Sequence, residues 1–214
     1  EWRQVLEKAW AAGIPHVIFT GGEATLRVDL PELIAQAEQL GMVSGLLSDG
    51  LRLVDPVYLE RLLQAGLDHL MIVLQPGDAQ SWQALSSALA ADLSVAAHLT
   101  ITPNSAAQSG ALLERLAGMG VSKVSLSAIE AGLAPALQNA ARQAAAQHLE
   151  LVWSLPAPYS RLHPVALEAG DALMEGAGRA WLYVEPDGDV RPAQGDPRVK
   201  GNLLRDDWQT VWRG

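Results

Sequence analysis

From Trp2 to Ala12 the apolar residues Trp2, Val5, Leu6, Ala9 and Trp10 recur at helical spacing, and Gly13 ends the run ahead of His16-Val17-Ile18-Phe19-Thr20, a short β-branched and aromatic stretch. The spacing predicts a helix feeding a buried strand. The unit then repeats. Leu30 to Leu40 reads as a helix closed by Gly41, and Val43 to Leu47 as a strand. Pro56 to Gln64, with Gly66 as its stop, precedes the strand His69 to Leu74; Ser81 to Ala91 precedes Leu93 to Thr102. Ser109 to Gly118 leads to Val121 to Ser127, and the Ala-rich helix Ala134 to His148 leads to Glu150 to Leu155.

Six helix-then-strand units, each with a short and largely apolar strand, are the pattern of a parallel sheet covered by helices. Right-handed βαβ repeats suit a barrel or an open sheet, and the uniform order favours the barrel. The expected fold class is α/β: a partial (β/α) TIM-like barrel of about six parallel strands, with a seam because the first element is a helix and a strand should precede it. Residue 1 is Glu, inside that helix, so a longer parent polypeptide is expected. After Leu155 the pattern changes. Pro156, Pro158 and Pro164 and the polar run Glu168 to Gly178 read as a loop or linker. Ala180 to Glu185, the turn Pro186-Asp187-Gly188-Asp189 and the return Val190-Arg191-Pro192 read as a hairpin, with a closing helix over Asp206 to Trp212. The expected organisation is therefore a barrel over 1–155, a linker over 156–178 and a hairpin–helix appendage over 179–214. Trp181, Trp208 and Trp212 are expected to anchor this tail.

Composition narrows the chemistry. Of 214 residues, 49% are apolar, enough for a sizeable core, and 15 Lys+Arg against 24 Asp+Glu leave a formal net charge of -9. That balance argues against nucleic acid or an anionic membrane as partner, and with no spanning run or signal pattern a soluble, cytoplasmic protein is expected. The chain has no cysteine, which excludes disulfides, thiolate nucleophiles and any thiolate-held iron–sulfur cluster within it. His16, His69, His148 and His163 show no H-x-x-x-H or H-E-x-x-H grouping, so no metal site is expected. P-loop, G-x-G-x-x-G and G-x-S-x-G signatures are absent as well. An aldolase- or isomerase-type barrel ranks last, since Lys8, Lys123 and Lys200 are the only lysines and Lys123 alone lies at a strand start.

What remains sits at strand carboxyl ends, where α/β sheets bind ligands. Thr20-Gly21-Gly22-Glu23 follows the first strand; two glycines let a ligand approach the backbone, and Glu23 suits an ammonium or hydroxyl group. A tight βα turn with a solvated Glu fits the spacing equally well. Ser48-Asp49-Gly50 closes the second strand and could meet ribose hydroxyls, although in isolation an Asx turn with Gly50 at positive φ is the better reading. The next strand finishes with Gln75. His98, Thr100 and Thr102 alternate onto one face of the fourth strand, and Ser125 and Ser127 onto the same face of the fifth. If that face is interior, these groups need partners, and a lone inward histidine is more often a hydrogen-bonded core residue than a ligand or base.

The run Phe19-Thr20-Gly21-Gly22-Glu23-Ala24-Thr25-Leu26, followed by Ser48-Asp49-Gly50, resembles the core of the radical S-adenosylmethionine enzymes, in particular the branch of peptide-modifying maturases and cofactor-biosynthesis proteins. The tail Tyr183 to Pro192 with Gly201-Asn202-Leu203 is similar to the start of the C-terminal extension many of them carry. The resemblance implies that Gly21, Gly22 and Glu23 bind the amino end of S-adenosylmethionine, that Ser48 and Asp49 line its ribose region, and that His98 and Thr100 lie near cofactor or substrate. No catalytic residue is singled out. It also implies a peptide or small-molecule substrate and a [4Fe–4S] cluster that starts the reaction by one-electron cleavage of S-adenosylmethionine to a 5′-deoxyadenosyl radical. The chain departs from the pattern in lacking the three-cysteine loop and the strand before it, in Ala24 for the usual Pro, in Asp49 for the usual Asn, and in Ala193 where relatives with auxiliary clusters often place Cys. A cluster therefore needs ligands from outside this chain. The competing expectation is a cluster-free module of the same fold that binds S-adenosylmethionine or a peptide without catalysis.

Overall fold

In the computed structural model, which describes residues 1–152 and 177–213, six helix–strand units run in chain order: α1 (Trp2–Ala11), β1 (His16–Phe19), α2 (Leu30–Leu40), β2 (Val43–Ser48), α3 (Pro56–Gln64), β3 (His69–Val73), α4 (Ala79–Leu89), β4 (Ser94–Ile101), α5 (Ser109–Gly118), β5 (Lys123–Ala128), α6 (Ala134–Ala146) and β6 (Glu150–Leu151). The six strands form one sheet in the order β1-β2-β3-β4-β5-β6, every neighbour parallel. Each strand lies beside its chain predecessor, as the wall of a partial (β/α) barrel requires. The expected continuation of β6 beyond residue 152 and all but the last two residues of the linker expected over 156–178 lie outside the described residues.

Alternation along the strands divides two apolar layers. Leu46, Leu70, Ile72, Leu74, Ala97, Leu99, Ile101 and Val124 face the helices and join Ile34, Leu62, Leu85, Leu113 and Leu116 in the main core. On the opposite, inner face, Leu47, Met71, Val73 and Ala96 cluster with Ile18 and Val152. This inner layer sits at mid-strand, so polar inner-face residues gather at the two strand ends. Helix starts follow from local chemistry: Asp55 accepts from Val57 N (3.0 Å) with Pro56 in the first turn, and Asp78 accepts from Gln80 N (2.8 Å). No helix among the described residues is long and apolar enough to cross a membrane.

The tail forms a second sheet of three antiparallel strands, β7 (Tyr183–Val184), β8 (Asp189–Arg191) and β9 (Gly201–Asn202), then α7 (Trp208–Arg213). The expected Asp-Gly hairpin is present, with Gly188 at φ +88°. β9 is an addition to the sequence reading, and its two residues carry no strand pattern. Side-chain bonds fix it instead: Asn202 Nδ2 donates to Asp187 O (3.0 Å) and Asp189 Oδ1 (2.9 Å), and Asn202 Oδ1 accepts from Leu204 N (2.9 Å). The appendage shares a core with α1, in which Trp2 and Val5 meet Val190, Leu203, Val211 and Trp208. Lys8 Nζ reinforces that seam by donating to Leu203 O (2.6 Å) and Asp206 O (2.9 Å). Of the expected anchors, Trp208 packs into this core, whereas Trp212 stacks on Trp208 at 5.6 Å and is 44% exposed.

Candidate functional site

At the carboxyl end of β1 the chain turns through Gly21, at φ +130°, a conformation that side-chain-bearing residues rarely adopt. A Cβ placed at Gly21 or Gly22 would meet nothing within 4 Å, so open space lies beside both. Thr20, continuing the inner-face alternation of His16 and Ile18, has a buried Oγ1 without a hydrogen-bond partner. A buried hydroxyl left unpaired is costly and marks a place for an external partner.

Glu23 is drawn inward. Oε1 accepts from Thr25 N (2.9 Å), Thr25 Oγ1 (2.6 Å) and Ser48 Oγ (2.8 Å), and Oε2 accepts from Asp49 N (2.8 Å). The carboxylate caps the short turn Ala24–Leu26 and bolts the loop after β1 onto the end of β2. Thr25 O is held in turn by Tyr58 Oη (3.2 Å) and the Arg52 guanidinium, which lies over the Tyr58 ring. Ser48 is fully buried, donating to Glu23 and accepting from Gly50 N (2.9 Å). Asp49 makes the Asx turn that its tripeptide suggested, with Oδ1 accepting from Leu51 N (2.9 Å) and Gly50 at φ +78°. Burial pushes the Asp49 carboxyl above its ordinary pKa, the Leu51 N–H pulls it back, and the charge of Glu23 adds to the upward push.

A second polar group lies on β4 and β5. His98 is completely buried, its Nδ1 2.9 Å from Ser125 Oγ and its Nε2 3.1 Å from Ser127 Oγ. The in-register pairs His98↔Ser125 and Thr100↔Ser127 produce this ladder, which gives His98 the character of a satisfied core residue. Thr102 is absorbed by its loop, where its N donates to Ser105 Oγ (2.8 Å). The seven expected site residues thus fall into two clusters: Gly21, Gly22 and Glu23 with Ser48 and Asp49, and His98 with Thr100. β3 runs between them, so Asp49 and His98 stand roughly 10 Å apart by strand spacing. The sequence reading missed the orphan hydroxyl of Thr20, although alternation from Ile18 would have marked it. At the opposite, amino-terminal strand ends is a cavity of about 480 Å³ whose lining includes His16, His69, Lys123 and Met71.

A sequential parallel sheet whose first carboxyl end carries a Gly-Gly-Glu turn is the partial (β/α) barrel on which the likeness to the radical S-adenosylmethionine enzymes rests. No family model matches the chain. Individual relatives do. Over 81 residues, 38% of the chain, it is 37% identical to a PqqA peptide cyclase of Granulibacter bethesdensis, covering 21% of that protein. Over 77 residues, 36% of the chain, it is 43% identical to a PqqA peptide cyclase of Xanthomonas oryzae pv. oryzae, covering 20% of it. The chain thus matches about a fifth of the length of these relatives. Among solved structures, Streptococcus suis SuiB bound to S-adenosylmethionine superposes with a TM-score of 0.72 at 16% identity, over 100% of this chain and 57% of that one. The resemblance read from the sequence is borne out, and the fold is that of SuiB.

Proposed function

We propose that the chain supplies the S-adenosylmethionine-binding wall of a radical enzyme that modifies a peptide. The observation that carries the reading is the rim at Thr20-Gly21-Gly22: a buried hydroxyl without a partner beside two glycines that open onto free space. Such a rim suits the amino-acid end of S-adenosylmethionine, with Thr20 Oγ1 and exposed backbone groups as its polar partners. Glu23, with four donors from its own chain, holds the rim in shape and offers its charge at short range. Asp49 borders the ribose side. His98 and Thr100, across β3, face the part of the site left for substrate. The peptide enters the proposal through the names of the PqqA peptide cyclases, and S-adenosylmethionine is further supported by the ligand of SuiB.

A [4Fe–4S] cluster does not fit these residues, because the chain offers no thiolate. The radical reading therefore requires cluster ligands from elsewhere in the polypeptide or its assembly. The same lack favours a second reading, a module that binds S-adenosylmethionine or a peptide and does no chemistry. In both readings the protein is cytoplasmic, with nucleic acid and membranes outside its partners. Calorimetry with S-adenosylmethionine tests the shared core: saturable binding that Thr20→Val weakens is expected, and absence of binding overturns both. Anaerobic reconstitution of the full-length polypeptide with iron, sulfide and a reductant separates them, since only the radical enzyme releases 5′-deoxyadenosine.

A further inference from the structure

His16 opens β1 and His69 opens β3, 53 residues apart in sequence, yet their Nε2 atoms lie 3.2 Å from each other at the amino-terminal mouth of the barrel. The contact spans β2, and the residue that permits it is Gly45. In register, Gly45 stands directly beside His69, and a Cβ there would fall 2.1 Å from His69 Nε2. The imidazole therefore lies across the bare backbone of β2 towards β1. The rings meet edge to face, with centroids 4.8 Å apart.

We propose that His16 and His69 form a two-imidazole site for a borderline-soft divalent cation of the zinc type, at the strand ends opposite the Gly-Gly-Glu rim. Two nitrogen ligands at about 2.0–2.1 Å from a tetrahedral zinc stand about 3.3 Å apart, close to the separation already present. Among the described residues no group of three or more His, Cys, Asp or Glu side chains is placed to hold a metal ion, so the proposal leaves the positions beyond the two imidazoles to water. The adjoining cavity of about 480 Å³ provides room for it, and the exposure of His16 provides a way in. Asp68, held by Ser44 N (2.7 Å), favours positive charge on both rings, and the same field favours a cation between them. Lys123 opposes it from the far wall, where it donates to Ser94 Oγ (3.1 Å), and its effect on His69 is the weakest of those acting there. Sequence spacing gave no hint of the pair, because the topology, not a local motif, brings it together.

The test uses the tag-free chain stripped with a chelator and titrated with zinc chloride by calorimetry at neutral pH. One zinc per chain is expected, with no comparable binding of magnesium. His16→Gln and His69→Gln should each weaken zinc by more than about tenfold. Gly45→Ala should do the same by displacing the His69 ring, with helix and strand content unchanged by circular dichroism. Copper(II) bound in place of zinc should show coupling to two imidazole nitrogens in its electron paramagnetic resonance spectrum. Failure to take up zinc saturably, or uptake that His16→Gln leaves unchanged, overturns the site and leaves a hydrogen-bonded histidine pair. Binding of S-adenosylmethionine at the other strand ends is an independent measurement, so either assignment can fail alone.

Discussion

Replacing Glu23 by Gln separates a latch from a ligand-facing acid. In the parent, one carboxylate receives four donors: Thr25 N, Thr25 Oγ1 and Ser48 Oγ on Oε1, and Asp49 N on Oε2. With its carbonyl oxygen in the place of Oε1, the amide keeps three of these bonds in neutral form and points its NH2 at the Asp49 N–H. A bond to a charged acceptor contributes about 1.5–3 kcal/mol and a neutral one about 0.5–1.5 kcal/mol. One bond lost and three weakened give about 2–4 kcal/mol after allowing for non-additivity within a single group and for relief of the repulsion between Glu23 and Asp49. Urea unfolding of the chain without ligand reads this out. With a slope of about 2–3 kcal/mol/M, the midpoint should fall by roughly 1 M at unchanged slope. In parallel, the Asp49 carboxyl should titrate closer to its ordinary value, because one source of its upward push is gone. A midpoint unmoved by Glu23→Gln, with Asp49 titrating as before, would refute the latch and return Glu23 to the role of a free ligand for an amino group.

Three further outcomes are expected. Because the Asp49 pKa is raised above 3.8, the folded chain holds a proton that the unfolded chain has released, and stability falls as pH rises through that window. Asp49→Asn keeps the acceptor for Leu51 N, so in urea midpoints it should be more stable than the parent at pH 7 and equal to it below pH 3.8. The lowered pKa values of His16 and His69 act in the other direction: their stabilisation is complete above 6.5 and lost as pH falls through 6.5 towards the lowered values. Midpoints measured in chelator between pH 7.5 and 5 should show this slope in the parent and a flatter one in the His16→Gln, His69→Gln double variant. Lys8→Met leaves Leu203 O and Asp206 O without their donor and should loosen the appendage by about 1–3 kcal/mol, seen as faster amide hydrogen exchange in β8 and β9 with β2 to β4 unchanged.

The layering was legible wherever a strand is short and apolar on both faces. His69–Val73 announces itself in this way, and the glycine stops at Gly13, Gly41 and Gly66 mark where a helix gives way to the next strand. β9 was not legible, because side-chain bonds to Asn202 hold it rather than any alternation. The site was half legible. Gly50 adopts the positive φ that its Asx turn implied, and His98 has the hydrogen-bonded surroundings expected of a lone inward histidine. The partners of Glu23 at Ser48 and Asp49 depend on how two loops 25 residues apart meet, and the His16–His69 contact depends on a glycine in a third strand. Periodicity carries neither fact, since it records which face a residue takes and not which distant neighbour it finds.

α1 serves two cores: Leu6 and Ala9 turn towards α2 and β1, Val5 turns towards the tail, and Trp2 packs against both. During synthesis the first set finds its partners almost at once. The second must wait for Val190, Leu203 and Val211, a lag of roughly 10 to 40 s at ordinary elongation speeds of 5–20 residues per second. Throughout that interval this side of α1 lacks the partners that the tail supplies, so the seam between barrel and appendage is a late event in synthesis.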